Sequence, residues 1–249
     1  MQKDGKQTGA LSMNSGNVIL DSKRRDVTGD GVPDLVYITG HIADAGEAPF
    51  TENITLVIED GRDGSIRAFK PEHNAGRNPL LFLGDFDGDR VDDIKISMEA
   101  DISGGPGIHY IYSFKDYVFR ELFNTDAFND AHRYKVYYND FYRVAVGSVR
   151  LNKLFMLDIK NRGDAYLTQL YQDNGKLITP AKGAVLPLGP LLPVADERRG
   201  TFDLVARQRI AGISDTDTLG YIESLLHWNG QAFDVLYTVA SVPGMTITA

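Results

Sequence analysis

Cysteine is absent from the 249 residues. That excludes disulfide staples, thiolate metal sites and cysteine nucleophiles. An excess of positive charge is also lacking. The net charge is -8 and the sequence pI about 5.1, which disfavours nucleic acid and anionic membranes as partners. No apolar run reaches membrane-spanning length. The longest weakly polar stretch, Ala184–Ala195, is interrupted by Pro187, Pro190 and Pro193. The opening MQKDGKQTGALSMNSGNVIL lacks the apolar core of a signal peptide, so an exported chain would have had its leader removed. Catalytic signatures are missing too: HExxH, Walker A, GxSxG and GxGxxG do not occur. The histidines, His41, His73, His109, His132 and His227, are scattered singly. They read as packed or surface side chains.

What the chain does have is an acidic stretch that occurs twice. Asp26-Val27-Thr28-Gly29-Asp30-Gly31-Val32-Pro33-Asp34 is echoed by Asp85-Phe86-Asp87-Gly88-Asp89-Arg90-Val91-Asp92-Asp93. Oxygen side chains fall at loop positions 1, 3, 5 and 9: Asp26, Thr28, Asp30 and Asp34, then Asp85, Asp87, Asp89 and Asp93. Oxygens alternating along a tight loop converge on one point and repel without a cation. The position-7 carbonyls of Val32 and Val91 could complete a shell of hard ligands suited to Ca²⁺. This is not an EF-hand, because position 12 is Tyr37 or Ile96 instead of Glu, and strand-like runs follow. One copy alone would read equally well as an Asp/Gly-rich turn. Two matched copies favour the cage, and two Ca²⁺ ions are expected.

The segments DVTGDGVPDLVYITG and GDFDGDRVDDIKIS resemble the FG-GAP or VCBS-type repeat of integrin-alpha-like propellers. The resemblance implies that each acidic loop joins the first two strands of a propeller blade and holds Ca²⁺, with ligands bound on the opposite face.

Internal repetition leads to a similar architecture. The strand markers Leu35, Ile94, Val144 and Leu204 are spaced by 59, 50 and 60 residues. The hairpin markers Gly64, Asp116, Gly175 and Gly230 are spaced by 52, 59 and 55. Asp-Gly and Asn-Gly are favoured hairpin turns. Repeat units of about 16–70, 80–123, 134–180 and 190–240, each of four strands, follow a loose arm over 1–15 that carries a possible strand at Gly9–Met13. The expected fold is all-β: one domain over 16–249, a small β-propeller of about four blades, with a β-sandwich of repeated hairpins as the alternative. Leu219, Ile222, Leu225 and Leu226 would also line a helix, but Gly220 and the hairpin echo favour strand. The segments 124–133 and 182–190 read as irregular inserts. Units three and four keep only remnants of the loop, at Asn139-Asp140-Phe141 and around Asp196, and no ion is expected there. Asp215 and Asp217 read as a solvated turn.

These features favour a non-enzymatic, calcium-stabilised binding or adhesion module, monomeric and extracellular or on a cell surface, with a protein or carbohydrate ligand. Tyr134, Tyr137, Tyr138, Phe141 and Tyr142 gather around one loop as a candidate binding surface. The alternative is a carbohydrate-active enzyme, a lyase or glycoside hydrolase using acids such as Glu99, Asp101 and Glu223.

Overall fold

A computed structural model describes residues 16–44, 49–100 and 106–244. The N-terminal arm with its candidate strand, and Asp101, lie outside the described residues. The chain is all-β, in two sheets. The first sheet holds β1 (Asn17–Arg25), β2 (Asp34–Asp44), β3 (Phe50–Glu59), β4 (Ile66–Phe69), β5 (Gly76–Gly84), β6 (Asp93–Glu99), β7 (Gly107–Ser113) and β8 (Arg120–Asn124). The second holds β9 (Lys135–Asn139), β10 (Arg143–Ser148), β11 (Lys153–Asp158), β12 (Lys182–Asp196), β13 (Thr201–Ala211), β14 (Thr218–Trp228) and β15 (Phe233–Ser241). Two short helices, α1 (Thr125–Ala131) and α2 (Asp164–Leu167), interrupt them.

Each sheet is two antiparallel meanders joined by a short seam. β1 to β4 pair in chain order, as do β5 to β8. Their seam is Phe50 opposite Arg77 and Thr51 opposite Gly76. In the second sheet β9 to β11 join β12 to β15 through Lys182 opposite Tyr137 and Gly183 opposite Val136. The sheets thus comprise four local meanders, of four, four, three and four strands in chain order. The strand reading at Leu219–Leu226 holds within β14.

Three expectations fail locally. Tyr166–Tyr171 does not form a strand: α2 occupies Asp164–Leu167, and only an isolated bridge, Tyr171 to Leu177, remains of the third hairpin. The segment 124–133 holds α1, capped where Asn124 Oδ1 accepts from the Ala127 N–H at 2.7 Å. The segment 182–190 belongs to the fifteen-residue β12. Proline has no N–H for the ladder, and the register of β12 slips between Val185 and Leu188 and between Leu188 and Leu191, around Pro187 and Pro190.

Packing then sets the order of the units. Val36, Ile38, Leu56 and Ile58 of the first unit meet Ile94, Ile96, Tyr110 and Tyr112 of the second in one core cluster. Ile111 and Phe123, on the other side of the second unit, meet Leu188, Leu204 and Leu226 of the fourth. The fourth unit's Ile210, Leu219 and Ile222 meet Val136, Val144 and Val146 of the third. The stacking order is thus first, second, fourth, third. Among the described residues no core cluster joins the first unit to the third. A four-bladed propeller needs blades stacked in chain order around a closed ring, and these clusters do not trace one. Face-to-face layering of sheets, as in a β-sandwich, is compatible with them.

Leu188 is fully buried between the second and fourth units. Leu188→Ala should cost about 2–5 kcal/mol. In a urea melt, Trp228 fluorescence and far-UV circular dichroism should shift together to lower midpoint. Separate shifts would show that the units unfold independently.

Candidate metal centre

The two acidic loops fold alike because the same side chains capture the same backbone groups. At position 1, Asp26 Oδ1 and Oδ2 accept the N–H groups of Gly29 (2.7 Å) and Gly31 (2.8 Å). Asp85 does the same for Gly88 (2.6 Å) and Arg90 (2.9 Å). At position 5, Asp30 Oδ1 and Asp89 Oδ1 accept from Val32 (2.8 Å) and Val91 (3.0 Å). At position 9, Asp34 Oδ2 accepts from Val27 (2.9 Å) and Thr28 (3.2 Å), and Asp93 Oδ2 from Phe86 (2.8 Å) and Asp87 (3.2 Å). Position 4 turns through the left-handed region, at φ 81° for Gly29 and 82° for Gly88, which explains glycine in both copies. Position 6 does so too, at 84° for Gly31 and 70° for Arg90.

The expected ligand residues therefore divide by role. Asp34 and Asp93 are 0% and 1% exposed and act as backbone acceptors at the starts of β2 and β6. In the second loop, Asp85, Asp87 and Asp89 each place a carboxylate oxygen within 4.8 Å of the others, a spacing a single hard cation could bridge. Built-in countercharges flank them: Arg120 Nη2 lies 3.1 Å from Asp87 Oδ2, and Lys115 Nζ lies 3.3 Å from Asp89 Oδ2. The first loop is poorer in acid. Thr28 is buried and its hydroxyl donates to Asp26 Oδ1 at 3.3 Å. Asp30 Oδ2 is buried and pairs with Arg62 Nε at 2.9 Å, by charge and without hydrogen-bond geometry. Arg62 thus puts a fixed positive charge on the carboxylate expected at position 5 of the shell.

The loops touch each other and the fourth unit. The Asp92 N–H donates to the Asp26 carbonyl at 3.2 Å, and the Asp116 N–H to that of Thr28 at 2.9 Å. The Asp85 carbonyl accepts from the Phe202 N–H, across the sheets, at 2.8 Å. Carboxylates crowded at this junction resist ionising together. Burial, then the neighbouring Asp87 charge, pushes Asp93 up to about 8. Burial first, then the Asp89 charge, also raises Asp87.

The other candidates separate as well. Of the tyrosine group, Tyr137 and Phe141 are exposed while Tyr138 is buried in the core. Glu223 is held by Arg207 at 2.7 Å. Asp217 is not a solvated turn residue. Its side chain is 9% exposed, pairs with Arg162, and accepts the Tyr166 hydroxyl at 2.6 Å, which in turn meets the Tyr138 hydroxyl at 2.6 Å. Nothing near Asp217 in sequence signals partners 51 and 55 residues away. A second polar group also escapes sequence reading. Lys95, buried and without a carboxylate partner among the described residues, donates to Ser97, which meets His109 Nδ1 at 3.1 Å. His109 Nε2 faces the Gly189 carbonyl at 2.8 Å. Burial lowers Lys95 to about 8 and His109 to about 4.

Asp93 generates a sign for pH dependence. Its folded value lies above the carboxylate range, so the folded state holds the extra proton between about pH 4 and 8. In the presence of chelator, stability should fall as pH rises through that window. Asp93→Asn should flatten the slope. A melting temperature that rises from pH 5 to 8 in wild type would contradict the assignment.

A family model described as the YybI C-terminal domain matches residues 132–241. A protein of Bacillus subtilis (strain 168) described as uncharacterized protein YybI is 42% identical over 219 residues, covering 88% of this chain and 83% of that protein. No solved structure matches. These findings overturn the FG-GAP or VCBS assignment. With it goes the family warrant for a propeller and for ligands opposite the calcium loops. The resemblance rested on short Asp/Gly turns, whose backbone-capturing geometry suits any pair of strands needing that corner. By the long match to its Bacillus relative, the chain belongs to the YybI family.

Proposed function

We propose that the chain is a non-enzymatic binding module whose second acidic loop is completed by Ca²⁺, acting outside the cell or at its surface, where calcium is abundant. The observation that carries the cation is the convergence of Asp85, Asp87 and Asp89 oxygens within 4.8 Å. The loop is also placed to matter, since the Asp85 carbonyl receives the Phe202 N–H of the fourth unit. An ion here would neutralise the crowded carboxylates and stiffen the junction between the two sheets. At an affinity of ~10⁻⁴ M and roughly millimolar calcium, mass action contributes about 1.4 kcal/mol. That is a useful share of a total stability of ~5–15 kcal/mol. The first loop would take an ion only by displacing Arg62 from Asp30, so two ions of unequal affinity are proposed. Among the described residues no helix is long and apolar enough to cross a membrane. The binding role itself draws on an exposed apolar face of the third unit, where Tyr137, Val149, Leu154 and Met156 lie open.

Calorimetric titration tests the ion directly. Wild type should bind Ca²⁺ with a rise in melting temperature, and Asp89→Ala should abolish the stronger site. Asp30→Ala should remove only the weaker one. Magnesium should substitute poorly, because it demands a tighter octahedron and keeps its waters. A melting curve unmoved by calcium or chelator would reduce both loops to turns. A glycan and peptide array probed with the full chain tests the binding role apart from the ion.

A further inference from the structure

The open face of the third unit has a defined shape. Pairing places Tyr137 and Met156 on either side of Ala145, and Lys135 and Leu154 on either side of Gly147. Cross-strand partners share a face of the sheet. The central strand β10 thus carries small side chains while its neighbours carry large ones. The result is a groove of about 440 Å³ running along β10, floored by Ala145 and Gly147. Tyr137 also borders an adjoining hollow of about 450 Å³ that reaches Lys182.

The floor glycine is not demanded by the fold. Gly147 has no positive φ, and a Cβ there would meet only Leu154 Cδ1, at an ordinary 3.7 Å. Glycine weakens a strand interior, so backbone geometry and packing leave this choice unexplained. Keeping the groove open explains it. Exposure agrees: Val149 is 83% exposed and Leu154 67%, an apolar patch of the kind that marks binding surfaces.

Charge and the apolar wall identify the occupant. The chain carries -8 overall, yet the groove is bordered by Lys135 and Lys153, and Lys182 Nζ sits 5.7 Å from the Tyr137 ring centroid. On the same face Asp158 is paired in register with Arg143. Asp140 of the adjoining hollow offsets one of these lysines, and the local charge stays positive, opposite to that of the whole protein. Among the described residues β11 pairs only with β10 and forms an edge of its sheet, so no further strand of these residues walls the groove on the side of Lys153. We propose that this groove binds an acidic peptide in extended conformation, with apolar side chains seated between Tyr137 and Met156 or Leu154 and carboxylates against the lysines. The aliphatic wall of Val149, Leu154 and Met156 favours peptide over an acidic polysaccharide. This deepens the binding reading above and rests on it.

The test is selection of a random twelve-residue phage-displayed peptide library on the full chain, followed by binding of the selected synthetic peptides to variants. Enriched sequences should alternate apolar residues with Asp or Glu. Gly147→Val should fold with undiminished melting temperature, since valine suits a strand, and should weaken binding at least about tenfold, or 1.4 kcal/mol. Lys135→Glu with Lys182→Glu should do likewise and make the residual binding insensitive to salt. Enriched peptides without acidic residues, no enrichment at all, or binding indifferent to Gly147→Val would overturn the groove. Peptide binding that survives Gly147→Val would do so while leaving the wider binding role standing. Retention on oligouronate, lost in Gly147→Val, would overturn the peptide as occupant.

Discussion

The structure depends on a corner. In each of the first two units a buried aspartate, Asp34 or Asp93, holds the two N–H groups at loop positions 2 and 3 as its strand begins. A chain leaving one strand and entering the next strips water from its amides there, and an unpaired amide in that position is costly. Carboxylates are strong acceptors for such groups. The neighbouring loop carboxylates, Asp26, Asp30, Asp85, Asp87 and Asp89, bring charge into the same junction, where β1, β2, β5, β6 and the start of β13 approach. The corner therefore solves a hydrogen-bonding problem by creating an electrostatic one. Arg62, Lys115 and Arg120 offset part of it. A bound cation would offset the rest at the second loop, where three carboxylates converge and two side-chain cations stand at the rim.

The two halves of the chain meet their structural demands differently. The first two units use acidic corners. The third and fourth have lost the alternating oxygens, and Asp217 performs a comparable service by another route. It ties α2 and the third unit to the β13–β14 turn through Arg162, Tyr166 and the Tyr138 hydroxyl. That tie occupies the place where the repeat predicts a strand pair, and it accounts for the short helix replacing the third hairpin. The family match over residues 132–241 covers this tie and the open groove on β10, and leaves the acidic loops outside.

The sequence by itself determined the all-β class and the strand–acidic turn–strand order at the two loops. Those features are written in local chemistry. Alternation in runs such as Leu35-Val36-Tyr37-Ile38 has a period of two, with Val36 and Ile38 buried and their neighbours half-buried. The glycines at loop position 4 and the aspartates at positions 1, 5 and 9 act within nine residues of one another. Local hydrogen bonds leave local signatures. The same locality explains the mistaken family: an acidic turn that captures its own amides looks alike in unrelated chains.

Only the tertiary structure decided the order in which the units stack, because Ile111 facing Leu188 is a matter of which sheet face is covered, and alternation alone does not name the covering partner. Tertiary contact also decided which acids do what. Asp34 and Asp93 became backbone anchors, Asp30 an ion-pair partner, and Asp85, Asp87 and Asp89 the convergent set. The same holds for Asp217, and for the polar row Lys95, Ser97 and His109 beneath Gly189. The groove on β10 arises from small residues at 145 and 147 set between large ones on two other strands. No single strand shows it; it exists only once registers are fixed, since a shift of one residue would turn every side chain to the opposite face.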